Sequence, residues 1–215
     1  MKAIAPLIAL PALIPFLLAA AELKKLRIDA TGWAPGEPPE QVFVVEGKVQ
    51  ISLKDGNPSI AVDPTAELAE TCAQVGPSAA GAASIQARVF ASKRARSVPR
   101  FGISVHGMSG HRLMVNAARK QLELVKGEQV VASAPLQWTS EQWMTLKIEA
   151  KPLATDQWQI EGSAWSDGQQ ASAVKVAAKA QGLKGQGKCS LWATPYSQTP
   201  VYFDDLELEI QTAAP

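Results

Sequence analysis

From Ser84 to Ala178 the chain is a run of short segments in which polar and apolar residues alternate, each closed by a turn. Trp143-Met144-Thr145-Leu146-Lys147-Ile148-Glu149-Ala150 and Gln157-Trp158-Gln159-Ile160-Glu161-Gly162-Ser163-Ala164-Trp165 show the pattern most clearly. A period of two puts successive side chains on opposite faces of a strand, so each segment reads as a half-buried β-strand. Ile85–Phe90, Phe101–His106, Arg112–Asn116, Gln121–Val125, Glu128–Ala132 and Val174–Ala178 extend the meander. It closes with Gly187–Thr194 and Val201–Ile210, two strands joined by a Pro- and Ser-containing turn.

Upstream, Leu26–Ala30 reads as a short strand, and Thr31–Glu40, with Gly32, Pro35, Gly36, Pro38 and Pro39, as a loop. Gln41–Val45 and Lys48–Leu53 are expected to form a hairpin around Glu46-Gly47, followed by a turn at Asp55–Pro58. Pro64–Glu70, with Thr65 as cap and Ala66–Glu70 as helix formers, is expected to make a helical turn or two. Gln74–Ala83, rich in Gly, Ala and Ser, reads as a loop. Roughly twelve strands with regular turn signals specify an all-β, two-sheet antiparallel jelly-roll sandwich with one short helical segment near residues 64–70. No fixed-period repeat argues for a propeller or solenoid, and no internal linker divides residues 22–215, so a single domain is expected.

The N-terminus has another character. Lys2 precedes an apolar run, Ala3–Ala21, that ends in Ala19-Ala20-Ala21 before the charged Glu22-Leu23-Lys24-Lys25. A basic start, an apolar middle and small residues before a polar break describe a secretory signal peptide over residues 1–21. A retained membrane anchor is the competing reading, but Pro6, Pro11 and Pro15 would interrupt its helix repeatedly. The expectation is a secreted or periplasmic protein with no stable membrane span after cleavage. The balance of 21 Lys+Arg against 20 Asp+Glu gives a net charge of +1, which does not favour nucleic acid. In an oxidising compartment Cys72 and Cys189 either pair in one disulfide or stay as separate buried thiols. A bridge across a loop that long would contribute about 4–5 kcal/mol.

The closing hairpin, with Trp192 on its first strand and Val201-Tyr202-Phe203-Asp204-Asp205-Leu206-Glu207-Leu208 on its second, resembles that of concanavalin A-like lectin/glucanase jelly rolls. That superfamily includes laminin G-like modules, family 16 glycoside hydrolases and keto-disaccharide hydrolase-type domains of bacterial secreted proteins. The order of strands from Phe101 to Trp165, with Trp143 opening the one after the hairpin, looks like the central meander of such domains. Family 16 enzymes carry a Glu-x-Asp-x-x-Glu run whose period-two spacing brings carboxyl groups within about 5–5.5 Å. This chain has no such run, so the resemblance implies an architecture and assigns no catalytic residue. It also implies that Asp204 helps to bind a structural calcium. By strand parity Asp204 falls with Leu206, Leu208 and Ile210 and turns inward, where backbone amides or an Arg would serve a carboxylate equally well.

Parity also selects a candidate ligand face. His106, Asn116, Glu123, Glu161, Trp165 and Trp192 oppose the apolar set of their strands. On one sheet face they would give a carbohydrate cleft its stacking rings and directed hydrogen bonds; the alternative is an ordinary polar surface with core Trp residues. His106 and His111 bracket Gly107–Gly110 without a third metal ligand at suitable spacing, and Ser109 has no nucleophile motif. The basic run Lys93-Arg94-Ala95-Arg96-Ser97-Val98-Pro99-Arg100 is either a grip for an anionic polysaccharide or partner, or solvated loop charge. The leading expectation is an exported, non-catalytic module that binds a glycan or cell-surface polysaccharide, and not nucleic acid. The alternatives are a glycoside-active enzyme of the keto-disaccharide hydrolase type, using Glu123, Glu161 and His106, and a structural domain without ligand.

Overall fold

The computed structural model describes residues 23–67 and 69–212. The expected signal peptide, residues 1–21, lies outside them. In chain order the strands are β1 (Leu23–Ile28), β2 (Val42–Glu46), β3 (Lys48–Lys54), β4 (Asn57–Asp63) and β5 (Thr71–Ala80). Then come β6 (Ala83–Phe90), β7 (Arg100–Val105), β8 (His111–Asn116), β9 (Gln121–Lys126) and β10 (Gln129–Pro135). The last five are β11 (Trp143–Ala154), β12 (Gln157–Ser166), β13 (Val174–Gln181), β14 (Gln186–Thr194) and β15 (Val201–Gln211). The helix among the described residues is one 3₁₀ turn, Gln170–Ser172. No described helix is long and apolar enough to cross a membrane.

The strands form two antiparallel sheets, as the alternating pattern requires. One has seven strands in the order β10-β9-β8-β7-β14-β5-β2; the other has eight, β13-β12-β11-β6-β15-β4-β3, with β1 also on β15. Register shows how the pattern builds the core. Leu124, Leu113, Ile103, Leu191, Ala73 and Val44 stand side by side across the seven-stranded sheet and point inward. They meet Ile85, Val89, Leu146, Ile148 and Ile160 of the other sheet, all fully buried. The neighbouring row, Glu123, Met114, Gly102, Trp192 and Cys72, points outward by the same alternation.

Three expectations are corrected here, and the alternative left open for the two cysteines is decided. Glu46-Gly47 does not turn a hairpin: β2 lies in the seven-stranded sheet and β3 in the other, so the chain crosses between sheets at Gly47. Its φ is +86°, and a Cβ there would sit 2.0 Å from Oγ1 of Thr71, which is why glycine occupies the crossing. The hairpin is made instead at Asp55-Gly56, both at positive φ, between β3 and β4. Secondly, the expected loop Gln74–Ala83 is for the most part the central strand β5, Thr71–Ala80, held on both edges by β14 and β2. Its small residues fit a place where the sheets approach closely; a Cβ on Gly76 would lie 2.8 Å from Leu208.

The helical segment near residues 64–70 does not form either. Ala66-Glu67 make a turn between β4 and β5, and Leu68 lies outside the described residues. So short a connection cannot repay helix nucleation, and Glu70 instead reaches across to Arg112. Finally, Cys72 and Cys189 are both free and buried. On the β5–β14 ladder Cys189 stands opposite Val75 while Cys72 stands opposite Trp192. Three positions of offset put the thiols on opposite faces of one sheet. Cys189 lies in the inter-sheet core and Cys72 on the outer face with Met114 and Trp192, so no disulfide geometry is accessible.

Candidate functional site

The outer face of the seven-stranded sheet carries the densest polar network. Glu123 is its centre: the side chain is 1% exposed, and an ionised carboxylate buried that deeply needs donors on both oxygens. It has them. Asn116 Nδ2 donates to Oε1 at 2.9 Å and Arg100 Nη2 to Oε2 at 3.2 Å. Arg119 Nη1 stands 3.8 Å from Oε1, while its backbone amide donates to Asn116 Oδ1 at 3.2 Å. The strands supply this placement directly, because Arg100 and Asn116 are register partners across β7 and β8, and Glu123 lies two positions along β9 from Gln121, the partner of Asn116, and so on the same face. Arg100 Nη1 continues the network toward Glu70 at 3.8 Å, and Glu70 accepts from Arg112 at 2.7 Å.

Beside this cluster is an open hollow of about 330 Å³, lined by Arg100, Asn116, Arg119, Glu123, Glu128 and Tyr196 among others. Tyr196 comes from the loop between β14 and β15 and is 47% exposed. The hollow thus offers an exposed aromatic ring, an amide and a guanidinium held by a buried anion, and a second, exposed guanidinium, that of Arg119. These are the elements of polar-ligand recognition: a flat apolar surface with fixed donors at its side.

Of the six residues selected by parity, the structure brings Asn116 and Glu123 together. Trp192 lies on the same sheet face but is only 4% exposed. Its indole N–H donates to Ser104 Oγ at 2.8 Å, and the Arg112 guanidinium lies over the ring at 4.6 Å. It is an enclosed side chain, not a stacking surface. Gly102 is its register partner on β7. Glu161 and Trp165 lie on the outer face of the eight-stranded sheet, Glu161 opposite Glu149 and Trp165 opposite Thr145. They are therefore separated from Glu123 by the whole sandwich, and the acid–base set of Glu123, Glu161 and His106 is not assembled.

His106 faces neither surface. β7 ends at Val105, and His106 takes a φ of +62°, which breaks the alternation and turns its ring into the end of the sandwich. There Nε2 donates to Gly81 O at 2.8 Å and the ring packs edge-on against Trp158 at 5.3 Å. Burial lowers its pKa from the ordinary imidazole value, and His111, buried nearby, is pushed down to about 4, chiefly by desolvation and secondarily by Lys126.

Asp204 does not turn inward. A bulge between Asp204 and Glu207, with Asp205 at φ +48°, resets the alternation where β15 exchanges β4 for β1 as partner. Phe203 and Leu206 face the core, and Asp204 is half-buried on the other side. Its Oδ1 accepts from the Asp205 amide at 2.9 Å and Oδ2 from Ser59 Oγ at 3.3 Å; burial raises its pKa. Asp205 bridges Arg27 and Arg88, at 2.8 and 3.1 Å. Among the described residues no three His, Cys, Asp or Glu side chains are grouped to hold a metal ion.

Sequence reasoning missed Arg119, Glu70 and Tyr196, and took Arg100 only as the end of a basic loop run. Arg100 was legible by parity, since it shares a strand face with Ser104. Tyr196 carried no signal, because an irregular loop has no period from which a direction could be read.

No family model matches the sequence. A comparison with curated proteins finds no match in sequence. Solved structures do match. The carbohydrate binding module CBM66 from Bacillus subtilis superposes with a TM-score of 0.52 at 12% identity, covering 78% of this chain and 94% of that one. The carbohydrate recognition domain of Emp46p, in its metal-free form, gives 0.52 at 11% identity over 81% of this chain and 89% of that one. A Bacillus subtilis protein of unknown function with a galectin-like fold gives 0.51 at 9% identity over 86% of this chain and 100% of that one. At such identities the likeness is one of fold, and the fold is that of the concanavalin A-like jelly-roll sandwiches.

Proposed function

We propose that this chain is an exported, non-catalytic carbohydrate-binding module whose site is the hollow beside Glu123. One observation carries the reading: a buried carboxylate holds Asn116 and Arg100 as fixed donors next to the exposed ring of Tyr196. Sugar recognition needs that combination, because a pyranose presents an apolar face for stacking and a rim of hydroxyls for directed hydrogen bonds. Two structural neighbours support it in a general way, being a carbohydrate binding module and a carbohydrate recognition domain. A non-catalytic role agrees with the use of Glu123: both its oxygens are engaged by Arg100 and Asn116, as suits an anchor for donors and not a proton shuttle. Export rests on the N-terminal pattern of residues 2–25.

A glycan array probed with the full chain tests the function. Specific signals are expected, and they should fall at least about tenfold in Tyr196→Ala and Asn116→Ala, the effect of removing a stacking ring or an oriented donor. Trp165→Ala, on the opposite sheet, should bind as the parent does. An array without signal removes the proposal. Export is tested by sequencing the N-terminus of the protein recovered outside the cytoplasm, which should begin at or near Glu22.

A further inference from the structure

We infer that the glycan bound at this hollow is acidic, carrying carboxylate or sulfate groups; this rests on the carbohydrate-binding reading above. The basic run singled out in the sequence is what builds one wall of the site. Val98, Pro99 and Arg100 line the hollow. The segment before them folds into a tight hairpin, with Arg94 and Ser97 exchanging both backbone hydrogen bonds at 3.0 Å. Lys93, Arg94 and Arg96 are exposed on that hairpin, which ends at the wall. From the other side the β8–β9 turn presents Arg119 and Lys120, both exposed.

The cations divide into two kinds. Arg100 is neutralised and oriented by buried Glu123, as its 3.2 Å contact shows. Arg119 is not: its side chain is 69% exposed, and its nearest acid is a Glu123 oxygen 3.8 Å away that Asn116 already uses. A guanidinium so placed keeps its forked donors available to an incoming carboxylate or sulfate. Arg100 and Glu123 offset each other in the lining, which leaves Arg119 and the exposed Glu128; the further exposed cations, Arg94 and Arg96 on the adjoining hairpin and Lys120 next to Arg119 in the chain, tip the balance to positive. With a net charge of only +1 on the whole chain, these cations are not part of a general basic excess. Duplex nucleic acid fits less well, since the exposed cations sit on two short loops next to a hollow with one exposed ring and do not form a stripe along a strand or helix.

Binding of the full chain is measured by calorimetry against a polyuronate, a sulfated glucan, a neutral glucan and duplex DNA, at low and at about 300 mM salt. The polyuronate or the sulfated glucan, or both, are expected to bind, and which of them does so identifies the anionic group. Affinity should drop about tenfold or more in Arg119→Ala, partly recover in Arg119→Lys, and weaken with salt. Melting temperature should be unchanged in these variants, because Arg119 is on the surface. Equal binding of the neutral glucan, or binding indifferent to salt and to Arg119, overturns the acidic-ligand inference while leaving carbohydrate binding intact. DNA binding as tight as that of the polyanionic glycans overturns it as well. No binding to any glycan removes the carbohydrate reading and this inference together.

Discussion

The guanidinium of Arg112 lies 4.6 Å from the ring centre of Trp192 and closes it against the seven-stranded sheet. Glu70 holds the guanidinium there through a 2.7 Å contact with Nη1, so the connection between β4 and β5 is tied across the sheet face to Arg112, with Arg100 Nη1 at 3.8 Å as a second cation. A cation stacked on an enclosed indole gains more than one in open solvent. Arg112→Ala should therefore expose Trp192, seen as a red shift of tryptophan emission, and cost about 1–2 kcal/mol in urea unfolding. Trp192→Ala should cost about 3–5 kcal/mol. Unshifted emission in Arg112→Ala would show that the guanidinium does not seal the ring.

Glu123 is expected to matter for stability as much as for binding. Replacing it with Ala leaves Arg100 without its nearest anion and Asn116 without an acceptor, and should cost about 2–4 kcal/mol in denaturant unfolding. Glu123→Gln keeps the shape and one acceptor, and should cost less. A double-mutant cycle with Arg100→Met should return a coupling of at least about 1 kcal/mol. Additive losses would mean that the pair is not energetically linked.

These residues show what the sequence made legible. Strand parity placed Asn116 and Glu123 on one face, because β8 and β9 run without interruption and every residue keeps its alternation. It failed where the alternation is broken by backbone conformation: His106 at φ +62° turns into the sandwich end, and the Asp204–Asp205 bulge turns Asp204 outward. Parity also says nothing about which sheet a strand joins. Glu161 and Trp165 oppose their own core residues as expected, yet their outer face is that of the other sheet. Gln74–Ala83 looked like a loop because its residues have little β-propensity; the strand that takes up most of it is imposed by two paired neighbours, a tertiary effect that no local window contains.

The free thiols lead to a further expectation. Because Cys72 and Cys189 face opposite sides of the sheet, reducing agent should leave the melting temperature unchanged, and thiol titration should find two reactive groups after unfolding in denaturant. Before unfolding both should react slowly, since burial raises the Cys72 thiol to about 11 and the Cys189 thiol to about 12. A melting temperature lowered by reductant would require a bridge that this packing forbids.

The buried histidines give the protein an acid-sensitive end. His111 titrates in the folded state at about 4, against an ordinary value of 6.5, because burial disfavours the imidazolium and the nearby Lys126 repels it. His106 is shifted in the same direction by burial, and its Nε2–H bond to Gly81 is compatible with the neutral ring. Both pKa values are depressed, so below pH 6.5 the unfolded chain takes up protons that the folded chain refuses. Stability is therefore complete above about pH 6.5 and is lost as pH falls toward 4. For His111 alone the loss between pH 7 and pH 5 should be about 2 kcal/mol, with His106 adding to it. Urea midpoints measured from pH 7.5 to 5 should show this fall. His111→Gln, which cannot take up the proton, should flatten the profile without reversing it. A pH-independent midpoint in the parent chain would mean that neither ring is held neutral by the fold.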